Sequence, residues 1–413
     1  MAIIKPFKAV RPKPEVAAQV ASLPYDVMNR AEAKQMAKNN NSFLHVSRAE
    51  INFNDLVDEH SQQVYDKAAQ NFNRLIADKV LIQDQQPCYY IYAQTMNGRK
   101  QYGLVACSSI EDYFNDVIKK HEFTRPEKEQ DRIEHMKTVE AHVGPIFLTY
   151  PENKKIDTLV NEVVTQQTPI YDFTAEDTIQ HTVWLINQAE IIESITNIFQ
   201  QEIPYTYIAD GHHRTASAAK VGKQLKEENP NHTGEEEYNF FLSVLFPANQ
   251  LAIMDYNRLV KDLNGLTAED LLQKVAEKFE VTKTTLQEAK PAAIHHFGMY
   301  VEGQWYLLQS KPGTYTTDPI GVLNVTILSE NILNPLLGIK DQRTDKRIDF
   351  VGGIRGIKVL QERVDKGEAK IAFALYPVSL QQLIDIADSG NVMPPKSTWF
   401  EPKLRDGLFS HLF

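Results

Sequence analysis

Residues 205–225 read YTYIADGHHRTASAAKVGKQL, and within them one kind of backbone gives way to another. Residues 205–209 have the β-branched and aromatic composition of a short strand. Residues 214–225 are strong helix formers apart from Gly222. The motif ADGHHR therefore sits where a strand hands over to a helix. A helix start exposes N–H groups that lack acceptors, together with the positive end of the helix dipole. An anion is stabilised there before any side chain contributes. Gly211 lets the backbone approach a ligand closely. His212, His213 and Arg214 add donors or charges, and arginine can grip two phosphate oxygens at once; Thr215 adds a hydroxyl. Asp210 ends the strand beside them, placed to hold Mg²⁺ or to order the histidines. The competing reading is an ordinary helix cap with Asp210 near the N-cap. Four polar residues around one glycine favour the phosphate site. Arg214, at what reads as a surface helix start, is expected to tolerate alanine without unfolding.

Other phosphate-binding and metal motifs are absent: there is no Walker GxxxxGK[ST], no GxGxxG after a strand and no HExxH. VGGIRG, at residues 351–356, reads more readily as a turn than as a phosphate cradle. With 413 residues and 42% hydrophobic content the chain can bury a sizeable core, in two or three domains. A formal charge of -10 disfavours nucleic acid as a partner. Cys88 and Cys107 are too few for a disulfide framework or a four-thiolate metal site, which points to a reducing compartment, the cytoplasm. No apolar run is long enough for a membrane span, so no membrane partner is expected.

The remaining pattern is α/β without internal repeats. Residues 89–95 and 102–110 predict a hairpin turning at Asn97-Gly98, and residues 294–301 and 305–309 a second one around Glu302-Gly303-Gln304. Residues 143–150 and 370–376 read as strands, and residues 182–199, 268–279 and 380–387 as helices. Residues 238–247 predict a buried strand with which residues 251–255 could pair. Pro126 marks a turn or helix start in the charged stretch HEFTRPEKEQDRIEH, residues 121–135. Arg343, Lys346, Arg347 and Arg355 either collect an acidic ligand or form a solvated face.

ADGHHR followed by small residues resembles the phosphate-binding box of the ParB/sulfiredoxin superfamily, and in particular the DGHHR of the ADP-dependent and ATP-dependent free-serine kinases. The whole chain resembles the bacterial family labelled domain of unknown function 1015. Besides the box, the resemblance is carried by SLPYDV (residues 22–27), NSFLHVSR (41–48), IKKHEFTRPEKEQDR (118–132), RIDFVGGIRG (347–356) and MPPKSTWFEPKL (393–404). It implies an α/β (α+β) fold. Residues 1–256 would form a ParB/sulfiredoxin-like nucleotide-binding core with an N-terminal elaboration, and residues 257–413 an additional C-terminal α+β region. It also implies phosphoryl transfer between an adenine nucleotide, ATP or ADP, and free serine or O-phosphoserine, with Mg²⁺ as cofactor.

On that resemblance Glu122 is the counterpart of the kinases' catalytic glutamate and shares a pocket with Asp210. A carboxylate there could accept the proton of a serine hydroxyl or bind the metal. Asp210 and His212 join it as catalytic residues, with Asp210 the metal ligand. Asp26, His121 and Arg125 are candidate substrate contacts, as are Lys396, Ser397 and Thr398 in a proline-bounded loop. Sulfiredoxins carry a catalytic cysteine where this chain has His212, so sulfinic acid repair is not expected. Two other readings stay open: a nucleotide-binding regulatory protein without turnover, and a phosphoserine phosphatase with water as acceptor. The expected partners are a small-molecule substrate and a nucleotide, with a homo-oligomer left open.

Overall fold

Asn97 and Gly98 adopt φ values of 51° and 78°, the left-handed pair that a two-residue hairpin turn requires. They join Tyr89–Met96 to Arg99–Ser109 in antiparallel register. In this computed structural model, which describes all 413 residues, that hairpin forms the middle of a nine-stranded mixed sheet. Beyond Arg99–Ser109 come Phe240–Pro247, Ile146–Tyr150, Thr206–Asp210 and Ile118–Lys119. Beyond Tyr89–Met96 come Gln180–Ile186 and Tyr171–Thr174, and Ile4–Lys5 pairs with Arg99–Ser109 at the side. Thr206–Asp210 runs parallel to Ile118–Lys119 and antiparallel to Ile146–Tyr150.

The central strands are buried on both faces, which explains the unbroken apolar and aromatic run of residues 89–93. Ile195 and Phe199 of helix Ala189–Glu202 and Ile156 and Val163 of helix Lys154–Gln166 pack with Ile91, Leu104 and Ile208. A separate cluster gathers Val64, Ala68, Phe72 and Leu75 of helix Gln62–Ala77 around Phe43 and Val46.

The chain is a mixed α/β protein of two compact units. One comprises Met1–Leu251 together with Pro402–Phe413, and the other Ala252–Glu401. The sequence division after residue 256 thus falls within a second-unit strand, Tyr256–Val260, and the tail that was grouped with the C-terminal region belongs to the first unit. The tail is tied in by backbone bonds. Ser22 and Asp406 exchange a pair, each 3.0 Å, Val10 and Ser410 another pair, and His411–Leu412 lies against Ala141–His142.

The second unit is built on a six-stranded antiparallel sheet in the order Phe279–Thr284, Gln304–Ser310, His296–Val301, Ile371–Leu375, Tyr256–Val260, Ile348–Gly352. Its predicted hairpin is present, with Glu302 and Gly303 alone at the turn, at φ 47° and 78°. Helices Ala268–Lys278 and Leu380–Asp388 each begin with a capping box, Thr267 with Asp270 and Ser379 with Gln382.

Two expectations are corrected. Residues 182–199 are not one helix: Gln180–Ile186 is a strand and the helix starts at Ala189. HTVWLI, residues 181–186, is β-branched and aromatic, and its burial between two neighbouring strands overrides helical periodicity. Residues 251–255 do not pair with Phe240–Pro247; Ile253–Met254 pairs with Trp399–Phe400 within the second unit. No helix is long and apolar enough to cross a membrane.

Gly222, the one poor helix former in the stretch that opened the sequence reading, has a packing reason. A Cβ there would lie 2.2 Å from the Tyr238 carbonyl oxygen and 2.8 Å from Ile110 Cδ1. Helix propensity alone would have Gly222→Ala stabilise by about 1 kcal/mol. The contact with backbone reverses the sign, and the variant should lose on the order of 1–3 kcal/mol in denaturant unfolding. A gain in stability would contradict this packing.

Candidate functional site

The strand Thr206–Asp210 slips register between Ile208 and Asp210, which turns the chain out of the sheet at its last residue. Gly211 follows in the left-handed region at φ 93°, and helix His212–Glu228 begins at once without a side-chain cap. The first intrahelical bond runs from Thr215 N to Gly211 O at 2.9 Å. The N–H groups of His212, His213 and Arg214 therefore have no acceptor within the helix. Thr215 is buried and its hydroxyl donates to Gly211 O at 3.0 Å, so it closes the first turn, where the sequence had suggested a phosphate contact.

A second segment lies against this start. Residues 121–125 lead into helix Pro126–Val139, whose Pro126 occupies the first turn. Ser217 Oγ donates to Glu129 O at 3.0 Å, and Lys220 pairs with the Glu129 carboxylate, so the two helices are fastened side by side. The consequence is that Arg125 N donates to His213 Nε2 at 3.1 Å, and Glu122 Oε2 comes 3.7 Å from His212 Nδ1. The His121 ring packs edge-on against His212, centroids 4.4 Å apart. Glu122, His121 and Arg125, more than eighty positions upstream, are thus brought beside the start of the box helix. The Arg125 side chain itself stays exposed near Glu127, at 3.7 Å.

The histidines are not sources of positive charge. Burial pushes His121 down to about 4 despite the opposing pull of Asp210. Burial pushes His212 well below its ordinary value, with His121 and His213 adding to the effect, and it lowers His213 too, helped by Arg125. All three are neutral near pH 7, and His213 accepts the hydrogen bond from Arg125 N. Both ring nitrogens of His121 and Nε2 of His212 are buried without a hydrogen-bond partner. Such groups are costly to leave unpaired, and they concentrate at binding sites.

Positive charge comes from Arg214 and Lys403. Arg214 was expected at the surface, yet its side chain is only 8% exposed. Its Nη1 donates to Pro145 O at 2.7 Å, while Nη2 lies 3.7 Å from Asp210 and 3.9 Å from Asp26. It folds back under Gly211, where a Cβ would come 3.2 Å from Arg214 Nε. Nη1 is thus committed to a backbone carbonyl, while Nε is buried without a hydrogen-bond partner and Nη2 meets carboxylates only at ion-pair distance. Asp26 reaches it from the turn Tyr25–Val27, whose Tyr25 ring carries Arg132 at 4.1 Å.

The tail supplies groups that the sequence reading passed over. Lys403 Nζ is 3.4 Å from Asp210 Oδ2 and its side chain is 10% exposed. Asp406 borders, with Tyr25, Arg132, His142 and Arg214, a cavity of about 30 Å³. Burial pushes the Asp406 carboxyl up to about 7; Arg214 opposes the rise and Asp26 adds to it. The signal for Lys403 lies in the stretch MPPKSTWFEPKL, in which the candidate contacts were Lys396, Ser397 and Thr398. Those three are built into the second unit. Ser397 Oγ donates to Pro394 O at 2.6 Å, and the Lys396 carbonyl accepts from the buried Arg258 at 2.9 Å. The basic cluster of the second unit consists largely of ion pairs, Arg343 with Asp341 and Arg347 with Asp345 and Asp262.

No group of three or more His, Cys, Asp or Glu side chains is placed to hold a metal ion. Asp210, paired with Lys403 and Arg214, does not build a metal centre of its own.

Two outcomes follow from this geometry. Arg214→Ala, contrary to the surface reading, removes a buried side chain and leaves the Pro145 carbonyl without its charged donor, and should cost on the order of 2–3 kcal/mol in stability; an unchanged unfolding midpoint would contradict the burial. Asp406 retains its proton in the folded state between the ordinary carboxylate range and about 7, where the unfolded chain has released it. Its contribution to stability therefore falls as pH rises through that window and stays low above it. Asp406→Asn should remove that fall, worth a few kcal/mol at most by about one decade per 1.4 kcal/mol. Parallel unfolding curves for the two proteins from pH 4 to 8 would refute it.

Among solved structures, similar chains include a conserved hypothetical protein from Pyrococcus furiosus, at 15% identity and TM-score 0.36 over 72% of this chain and 93% of that one. A free serine kinase in complex with AMP shows 14% identity and TM-score 0.36 over 71% of this chain and 89% of that one. SbnI with a C-terminal truncation, from Staphylococcus aureus, shows 12% identity and TM-score 0.40 over 75% of this chain and 87% of that one. No curated protein matches the sequence. Residues 4–326 match the family described as Protein of unknown function (DUF1015), and the chain belongs to that family.

Proposed function

We propose that the chain binds the phosphates of an adenine nucleotide at the start of helix His212–Glu228 and transfers a phosphoryl group between that nucleotide and the hydroxyl of a small acceptor. Free serine and O-phosphoserine are the acceptor pair that the resemblance of the box implies. The observation that carries the reading is a juxtaposition: an uncapped helix start, with three N–H groups lacking helical acceptors, beside the half-exposed Glu122 carboxylate.

The chemistry follows from what each group can do. The N–H groups of His212, His213 and Arg214 and the helix dipole hold phosphate oxygens. Glu122 accepts the proton of the acceptor hydroxyl, and the neutral His212 beside it orients the carboxylate without neutralising it. Lys403 and Arg214 set a positive field around Asp210. Mg²⁺ carried on the nucleotide's phosphates would need only one or two protein carboxylates, a demand that Asp210 can meet, and would supply charge neutralisation.

The test is to incubate the purified chain with Mg²⁺ and either ATP plus serine or ADP plus phosphoserine, and to follow both nucleotides and both amino acids. Paired conversion is expected, and Glu122→Gln should slow it by about a hundredfold or more while nucleotide binding persists. Phosphate release without nucleotide conversion would establish a phosphatase instead, and nucleotide binding without turnover a regulatory protein.

A further inference from the structure

The first unit holds a second cleft that the proposed chemistry does not use. Its volume is about 420 Å³, and it is lined by residues from the segments 18–23, 36–44 and 173–177, Ser22, Lys38, Ser42, Glu176 and Asp177 among them, with Arg405. That volume lies within the roughly 300–1,000 Å³ of small-molecule sites. Ser22 and Ser42 come from the N-terminal stretches that gave the chain its family resemblance.

Three observations say what the cleft would take. Ser22 is 7% exposed, and its hydroxyl is buried without a hydrogen-bond partner. Arg405, 4% exposed, donates from Nε to His181 at 3.1 Å and from Nη2 to Asp177. Those two bonds leave Nη1 for another acceptor. The charges in the lining balance: Arg405 pairs with Asp177, and Lys38 with Glu176 at 2.7 Å. A simple carboxylate would add a second anion beside Asp177 and Glu176, and a simple amine would meet Arg405 and Lys38. A molecule bearing both charges can exchange with the existing pairs without changing the balance. Its carboxylate would take Arg405 Nη1 and the Ser22 hydroxyl, and its ammonium the partly exposed Asp177 carboxylate.

We infer that this cleft is a binding site for a small zwitterion, a free amino acid. It is distinct from the box. Arg405 and Asp406 are successive residues on opposite sides of an extended segment: Arg405 lines the cleft, while Asp406 borders the cavity with Arg214.

The experiment is a thermal-shift screen of the full chain, without nucleotide, against the twenty standard amino acids. It is followed by calorimetry with the best binder, its carboxamide and its des-amino acid. At least one amino acid should raise the apparent Tm, since a ligand that binds only the folded state does so, and both truncated analogues should fail. Ser22→Ala removes a hydroxyl that has no partner, so it should fold normally and bind about tenfold more weakly; Asp177→Asn should also weaken binding. Failure of all twenty, equal binding of the des-amino acid, or undiminished affinity in Ser22→Ala would each overturn the assignment.

Discussion

A guanidinium does not give up its proton inside a protein, and Arg214 is buried. Groups from several parts of the chain make that tolerable. The Pro145 carbonyl accepts one of its donors, and Asp26 and Asp210 stand within ion-pair reach. Asp406 approaches from the tail side, so three carboxylates from three distant parts of the chain converge on one cation. Their mutual repulsion is relieved because burial keeps Asp406 protonated through much of the acidic range. The left-handed turn at Gly211 belongs to the same arrangement, since the guanidinium occupies the space next to where a side chain would project.

The same economy of charge explains the neutral histidines. Three imidazoles packed beside an arginine, a lysine and a helix N-terminus would repel one another if protonated. Burial removes that conflict and leaves rings that can still donate and accept. The fastening of helix Pro126–Val139 to helix His212–Glu228 through Glu129, Ser217 and Lys220 keeps Glu122 and His121 in register with the box. Backbone donors thus come from the helix start, and cations from side chains held beside it.

The local parts of this arrangement were legible in the sequence. Both hairpins could be read because Asn97-Gly98 and Glu302-Gly303 demand a particular backbone, and the strand-to-helix junction at residues 209–214 could be read from composition alone. The link from Glu122 to His212 came through resemblance, not through any local pattern. Residues 180–199 were misread because a buried strand and a buried helix are both apolar runs. Arg214 looked exposed because a helix start usually is, and nothing in its neighbours announces Pro145 or Asp406. The roles of Lys403, Arg405 and Asp406 were illegible for a related reason: Ser22 pairs with Asp406 across most of the chain, and such pairing leaves no periodicity at either end. The neutrality of the histidines depends on burial, which one sequence does not record.

The chain path adds a constraint on when the box can exist. The second unit, Ala252–Glu401, is interposed in the sequence between the box helix and the tail that reaches back to it. During synthesis the strand, the glycine turn and the helix emerge early, but the partners of Asp210 and Arg214 that lie at Lys403 and Asp406 come out of the ribosome only after the whole second unit. A nascent chain shorter than that lacks the lysine that pairs with Asp210 and the buried carboxyl that approaches Arg214. The loop therefore gains its full set of partners only after the second unit has been made, and a chain that stops within the second unit lacks the tail groups that reach Asp210 and Arg214.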